Sequence, residues 1–147
     1  MSLEDIKEAL RNLLPPMVDE ALVENLALQS SHIIFEQKDE FLFRAGDLSK
    51  GFYWVLSGQV VEKVSDKISV LSNRGAMVGL EELLEKRKHI SDWCTTCKTE
   101  VLFIDSRCFK NFKKLDVGGL VSEELAHRLV QLKAACQSNP SVLIRPA

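Results

Sequence analysis

Residues 42–60 read LFRAGDLSKGFYWVLSGQV, a run of aromatic and β-branched residues held between two turn signals. The run itself, residues 51–56, contains Phe, Tyr, Trp and Val, which are enriched in strands because they pack well on a pleated surface. Gly46-Asp47 precedes the run and Ser57-Gly58 follows it, and glycine beside a small polar residue is typical of tight turns. This stretch therefore predicts a strand that lies between two turns.

The same alternation of short apolar runs and turns extends over residues 31–105. The runs are HIIFEQ, EFLFRA, GFYWVL, QVVEKV, ISVLS, DWCTTC and EVLFID. The turn residues between them are Ala45-Gly46-Asp47, Ser57-Gly58, Ser65-Asp66-Lys67 and Asn73-Arg74-Gly75. Residues 80–86 are the one helical interruption. Many short strands at this spacing predict an antiparallel sandwich or a small barrel.

Helical spacing marks both flanks of the strands. Residues 1–30 form a predicted helical region, in which Ser2 caps a first helix, Pro15-Pro16 ends it and a second short helix follows. Residues 106–137 again carry helical patterns, and residues 138–147 are interpreted as a tail. We therefore expect one domain with a mainly β centre and helices on both sides.

Composition limits the functions that this domain can have. The chain has 147 residues, of which 46% are hydrophobic and 27% charged, which is typical of a soluble globular domain. Its longest apolar runs are far shorter than the roughly 20 residues needed to span a bilayer. The N-terminus is acidic and lacks a basic segment before an apolar core, so we expect no secretory signal and a cytoplasmic location. A net charge of −2 argues against direct binding to nucleic acid.

A second stretch, VGLEELLEKRKHISDW at residues 78–93, suggests a family. Gly75 is followed by three residues, Gly79, a short helix, Ser91 and a closing strand. Together with the two turns of residues 42–60, this order resembles cyclic-nucleotide-binding domains of the catabolite activator (Crp/Fnr) type, over roughly residues 1–137. The resemblance implies an antiparallel β jelly roll with a phosphate-binding cassette at residues 75–93, a sensor or regulatory function, and no DNA-binding domain in this segment. By cassette position, the candidate pocket residues are Gly79, Leu80, Glu81, Ile90 and Ser91.

The cassette departs from the family pattern at both polar anchors. Members that bind cAMP place a Glu directly after the second glycine, where it holds the ribose, and an Arg eleven residues after that glycine, where it pairs with the cyclic phosphate. Leu80 and Ile90 occupy these positions here. Losing an Arg contact to an anion costs several kcal/mol, and Glu81 in the first helical turn repels a phosphate. We expect weak or absent cAMP binding. The basic run at residues 86–89 either turns a charge inward or is a solvated helix end.

The four cysteines do not form a convincing metal site. Cys94 and Cys97 are separated by two residues, but Cys108 and Cys136 stand alone, whereas a zinc site needs four grouped ligands. If residues 91–97 form a strand, Cys94 and Cys97 point to opposite faces of the sheet. We therefore expect reduced thiols and no bound metal.

No catalytic motif is recognisable in the chain. It lacks a paired His-x-His, a Gly-x-Ser-x-Gly and a Walker loop, so we do not expect an enzyme. Haem-sensing relatives use Cys and His ligands on or near these strands, and Cys94, Cys97 and His89 are the residues that could serve. A lone His in a basic loop is more commonly solvated, and we expect neither haem nor another cofactor.

The C-terminal helix carries an apolar seam with near-heptad spacing, which is typical of helix pairing. Its members are Val121, Leu125, Leu129 and Leu132. The seam either packs on its own barrel or forms a homodimer, and the resemblance favours the dimer. An alternative function follows from the same feature: the chain could be a ligand-free interaction or dimerisation module in which the barrel is only a scaffold.

Replacement of Leu125 by Glu tests the homodimer. If the seam pairs, the buried charge costs several kcal/mol and the protein becomes monomeric, while its circular dichroism spectrum keeps the signal of the folded barrel. Sedimentation of both proteins over a concentration series measures this. A wild type that stays monomeric at about 100 μM would contradict the dimer, because even a Kd near ~10 μM would be visible there.

Overall fold

The computed structural model describes residues 1–14, 20–64, 67–107 and 142–144. Three helices are present in this part of the chain: α1 (Leu3–Leu13), α2 (Glu20–Leu28) and α3 (Leu80–Glu85). The strands are β1 (Ser30–Phe35), β2 (Phe41–Phe43), β3 (Gly51–Ser57), β4 (Val60–Val64), β5 (Lys67–Ser72), β6 (Met77–Val78), β7 (Asp92–Thr95), β8 (Thr99–Asp105) and β9 (Val142–Ile144).

The strands form two antiparallel sheets. One sheet has four strands in the order β1-β8-β3-β6, and the other has five in the order β2-β7-β4-β5-β9. Buried side chains from both sheets meet in one hydrophobic cluster, among them Phe43, Val60 and Val101. The predicted class, an antiparallel β jelly roll with flanking helices, is confirmed.

All seven predicted runs contain strands, and two strands were missed. β6 has only two residues, which is too short to show an alternating pattern. β9 lies within residues 138–147, which the sequence analysis interpreted as a tail, and it pairs with β5 in the register Leu71↔Leu143. A strand of three residues also carries no readable period, so only its pairing with the edge of β5 defines it.

The N-terminal helices belong to the same core as the four-stranded sheet. Ser2 caps α1 as predicted, because its Oγ accepts a hydrogen bond from the Asp5 N–H at 3.2 Å. Leu10 of α1 and Leu22 of α2 are fully buried against Phe52 and other core side chains. Residues 1–30 are therefore packed onto the sheet by their apolar faces.

The central strand β3 is buried on both faces. Phe52 and Trp54 face the helices in one hydrophobic cluster, whereas Tyr53 and Val55 face the other sheet in a second cluster. This division follows from the two-residue period of a strand. The Trp54 Nε1–H donates a hydrogen bond to the Gly75 carbonyl at 3.1 Å, so the buried indole has a partner.

The C-terminal predictions lie largely outside the described residues. The dimer seam of Val121, Leu125, Leu129 and Leu132 and most of the predicted helical region 106–137 fall within residues 108–141. Where that region begins, the Asp105 carboxylate accepts a hydrogen bond from the Arg107 N–H at 2.9 Å. Within the part of the chain that the structure describes, no helix is long and apolar enough to cross a membrane.

Alanine substitution at Gly58 and at Gly46 separates the cost of backbone strain from the cost of a steric clash. Both glycines have φ of +91°, but a Cβ at Gly58 would lie 2.5 Å from the Lys98 carbonyl oxygen, whereas a Cβ at Gly46 meets nothing within 4 Å. We expect Gly46→Ala to cost about 1–2 kcal/mol from backbone strain alone. Gly58→Ala should cost about 1–3 kcal/mol more because of the close approach. Urea unfolding of both variants measures the difference, and equal losses would contradict it.

Candidate ligand-binding cassette

The candidate cassette consists of β6, α3 and the loop that leads into β7. Gly79 lies directly before α3 with φ of +88°. A Cβ at Gly79 would come within 3.3 Å of both the His89 ring and the Phe43 ring. The chain therefore has the close backbone approach that the glycine spacing predicted, but two aromatic rings of the protein lie against it.

Leu80 and Glu81, the first two residues of α3, point in different directions. Leu80 has no exposed surface and packs in the same cluster as Phe52 and Trp54, on the helix side of the four-stranded sheet. Glu81 is exposed. The Leu80 side chain is thus part of the hydrophobic core.

Ile90 and Ser91, the candidates at the other end of the cassette, also diverge. Ile90 is 73% exposed, the most exposed large hydrophobic residue in the part of the chain that is described. Ser91 is only 6% exposed, and its Oγ donates a hydrogen bond to a Glu62 carboxylate oxygen at 2.5 Å. The Ser91 hydroxyl is therefore bonded to a carboxylate of the protein itself.

Glu62 is the cassette neighbour that the sequence analysis missed. It lies on β4 and faces Trp93 of β7 across the five-stranded sheet. Because Glu62 is two residues after Val60, the strand period turns both side chains toward the space between the sheets. That period was visible in the run QVVEKV and could have marked Glu62 as an inward-facing acid. Its pairing with Ser91, which is 29 residues away, could not be read from the run.

The position of His89 shows which way the end of the basic run at residues 86–89 turns. It is 5% exposed, and its ring stacks on Phe43 with the centroids 3.5 Å apart and the planes 13° from parallel. The backbone N–H of His89 donates a hydrogen bond to the Asp47 carbonyl at 3.0 Å, and the His89 carbonyl accepts one from the Gly46 N–H at 2.8 Å. The Gly46-Asp47 turn therefore holds this loop by two backbone hydrogen bonds, with His89 turned inward.

The inward-facing imidazole does not supply a permanent positive charge. Burial lowers the pKa of His89, although the carboxylates of Glu82 and Asp47 act in the opposite direction. The Nδ1 of His89 lies 3.7 Å from a Glu82 carboxylate oxygen, which is too long for a hydrogen bond, and it has no hydrogen-bond partner among the described residues. Arg87 pairs with the carboxylates of Glu82 and Glu85. The inward-facing residue of the basic run is thus a ring that is neutral at pH 7, and Arg87 is paired with acids of α3.

Cys94 lies on β7, whereas Cys97 follows the end of that strand at Thr95, so the predicted strand over residues 91–97 is too long and its period does not decide where Cys97 lies. Cys94 is buried and Cys97 is exposed, and both are free thiols. Burial raises the pKa of the Cys94 thiol, which makes it a weaker nucleophile. Within residues 1–14, 20–64, 67–107 and 142–144, no group of three or more His, Cys, Asp or Glu side chains could hold a metal ion.

The buried His89 should make the stability of the fold depend on pH. Since its folded pKa lies below the unfolded value, the unfolded chain binds the proton more tightly. Stability is therefore complete above about pH 6.5 and falls as the pH drops below that value. His89→Phe should flatten the melting temperature between about pH 7 and 5, whereas Lys88→Gln at the exposed neighbouring position should not. Parallel curves for wild type and His89→Phe would contradict this assignment.

Comparison with known proteins places this geometry in a family. The family model for the cyclic nucleotide-binding domain matches residues 35–116, whereas none of the curated proteins matches the chain. The solved structure described as "Sp-2Cl-cAMPS bound to PKAR CBD2" is 17% identical, with a TM-score of 0.64, 92% of this chain covered and 89% of the other. The regulatory subunit of a cAMP-independent protein kinase A from Trypanosoma brucei is 20% identical, with a TM-score of 0.66 and 88% and 47% covered.

A third similar structure comes from a bacterium. The sensor domain of the transcriptional regulator DNR from Pseudomonas aeruginosa is 14% identical, with a TM-score of 0.64, 89% of this chain covered and 93% of the other. At these identities the structures establish a shared fold. The family model is the finding that carries membership, because it matches more than half of the 147 residues and includes both predicted turns and the cassette. The chain belongs to the cyclic nucleotide-binding domain family.

Proposed function

We propose that this chain is a regulatory sensor domain of the Crp/Fnr type, without enzymatic activity, whose cassette binds cAMP weakly or not at all. The observation that carries the proposal is the hydrogen bond from the Ser91 hydroxyl to the Glu62 carboxylate at 2.5 Å. A carboxylate there competes with any phosphate for the hydroxyl at this cassette position.

The electrostatics of the cassette argue against an anionic ligand. A cyclic phosphate beside Ser91 would lie close to Glu62, and two like unit charges 4 Å apart repel by about 4 kcal/mol at an effective dielectric constant of 20. In the family this site carries an Arg that attracts the phosphate. Ile90 stands at that position and is exposed to solvent, so it offers neither charge nor a hydrogen bond.

The ribose anchor is absent for a different reason. Leu80 is fully buried in the core that α3 shares with β3. A Glu at this position would have to leave the core or bury a charge, both of which cost stability. The side chain at this position thus stabilises the fold and makes no contact that a nucleotide could use.

The similar structures support the view that side chains, and not the fold, decide ligand binding. One of them is described with a cAMP analogue bound, and another is described as cAMP-independent. The third is described as a sensor domain of a transcriptional regulator. A jelly roll of this kind is therefore compatible with a regulatory function in which cAMP has no part.

Calorimetric titration with cAMP and cGMP tests the proposal. We expect no binding in the micromolar range for wild type, and a sub-micromolar constant would contradict the proposal. Thermal unfolding is a second measurement, because a ligand at 100 times its Kd stabilises the folded state by about 2.7 kcal/mol. The alternative, a ligand-free interaction module, predicts that no small molecule stabilises the fold.

A designed gain of binding tests the physical cause. Ile90→Arg supplies the missing cation at an exposed position, and Glu62→Gln removes the competing charge while keeping an acceptor for Ser91. The double variant should bind cAMP at least about tenfold more tightly than wild type, since one charge-assisted contact of this kind corresponds to roughly that factor. The matched control combines Ile90→Arg with Glu36→Gln, which removes an acid that pairs with Lys98. If both double variants behave alike, Glu62 is not the cause.

A further inference from the structure

A cavity of about 420 Å³ lies beside the cassette, between the two sheets and next to the loop that joins β2 to β3. Its lining residues are Leu42, Phe43, Asp47, Leu48, Lys50, Gly51, Tyr53, His89 and Phe103. The cassette candidates Leu80, Ile90 and Ser91 and the acid Glu62 do not line it. The volume lies within the range of small-molecule sites, which is about 300–1,000 Å³. This cavity is therefore a second candidate site, which shares His89 with the cassette.

Four of the nine residues that line the cavity carry aromatic rings. Tyr53 and Phe103 lie 5.0 Å apart between centroids, and Phe43 lies 6.3 Å from Tyr53 on one side and stacks on His89 on the other. Gly51 leaves room for this arrangement, because a Cβ there would come 2.6 Å from the Phe103 ring. Because these rings line the cavity, an aromatic ligand can pack against their remaining faces and edges.

The polar groups at the cavity are few and of opposite charge. Asp47 and Lys50 are both exposed and lie three residues apart on the β2–β3 loop. Neither side chain forms a salt bridge with another described residue. One Asp47 carboxylate oxygen accepts a hydrogen bond from the Arg44 N–H at 2.9 Å, and the Lys50 carbonyl accepts one from the Ser106 N–H at 3.0 Å. The loop is thus held in place while both charges remain at the cavity.

The Asp47 carboxylate also acts on the aromatic wall. Burial raises the pKa of the Tyr53 hydroxyl, and the negative charge of Asp47 raises it further. The same carboxylate acts on the pKa of His89 in the upward direction. Its field therefore reaches into the cavity, where it favours a positively charged group.

We propose that this cavity binds a free aromatic α-amino acid. The aromatic side chain of the ligand lies among Tyr53, Phe103 and Phe43, its ammonium group pairs with Asp47, and its carboxylate pairs with Lys50. A zwitterion matches two opposite charges at the opening of an aromatic cavity, whereas a neutral aromatic compound leaves both unpaired and a nucleotide adds an anion beside Asp47. This site goes beyond the proposed cassette function, because it uses none of the residues that decide cAMP binding.

A series of matched ligands tests the charge pairing on the full chain. Calorimetric titration with L-tryptophan and L-phenylalanine should detect binding. Tryptamine lacks the carboxylate and indole-3-propionate lacks the amine, and each should bind at least about tenfold more weakly than L-tryptophan. No detectable binding of either amino acid at about 10 mM would overturn the proposal. Equal affinity for all four compounds would also overturn it, since it would mean that the charges have no part.

Two conservative variants assign the charges to their partners. Lys50→Gln should weaken L-tryptophan about tenfold and leave tryptamine unchanged, and Asp47→Asn should weaken L-tryptophan and leave indole-3-propionate unchanged. Asn keeps an oxygen that can accept from the Arg44 N–H. The control is Lys88→Gln, which removes the same charge at an exposed position one residue from His89 and outside the cavity. Equal affinities of Lys50→Gln and Lys88→Gln would overturn the proposal.

The location is tested independently of cyclic nucleotides. The Glu62→Gln/Ile90→Arg variant alters the cassette and should leave the affinity for L-tryptophan unchanged. If the Glu62→Gln/Ile90→Arg variant changes the affinity for L-tryptophan and Lys50→Gln does not, the amino acid lies in the cassette and the proposed site is wrong. Because cAMP is titrated separately, failure here leaves the cassette proposal unaffected, and the reverse also holds.

Discussion

The burial of β3 on both faces is the constraint on which the rest of the structure depends. Phe52 and Trp54 bind the helices to the four-stranded sheet, and Val55 binds the same sheet to its partner. A fully buried indole requires a partner for its N–H, and the Gly75 carbonyl provides it at 3.1 Å. Together with the backbone hydrogen bonds between Val55 and residues 75 and 76 and the pairing of β3 with β6, this contact holds the start of the cassette against β3. The position of the candidate site therefore depends on the packing of both hydrophobic clusters.

The attachment of the β2–β3 loop to the end of the cassette is a second constraint on the candidate sites. Two backbone hydrogen bonds join Gly46 and Asp47 to His89. They turn the His89 ring inward against Phe43 and leave the next side chain, Ile90, in solvent. His89 is consequently shared: its ring lines the aromatic cavity, and its Nδ1 faces Glu82 of the cassette. This shared ring is a physical connection between the two candidate sites.

The cassette keeps the order of elements that the family resemblance predicts, and carboxylates lie beside Ser91 and His89. The turn at Gly79, the short helix and the return to β7 all have the order expected of a phosphate-binding cassette. The groups around it are the carboxylates of Glu62 and Glu82 and an imidazole that burial keeps neutral at pH 7. This arrangement is the physical basis of the proposed weak binding of cAMP, because an anion site depends on positive charge and on free donors.

The sequence by itself determined the fold class, seven of the nine strands in the described part of the chain, the Ser2 cap, the family resemblance and the residues Leu80 and Ile90 at the two anchor positions. These features are local, since each follows from residue type and short-range period. Only the tertiary structure decided that Glu62 accepts a hydrogen bond from Ser91, that His89 points inward and that aromatic rings from three strands line a cavity. Each of these requires cross-strand register or loop orientation between residues far apart in the chain, and a one-residue rotation of the loop would exchange His89 with Ile90. The short strands β6 and β9 also required the tertiary structure. Two or three residues show no period, so each strand is defined only by its pairing with the neighbouring strand.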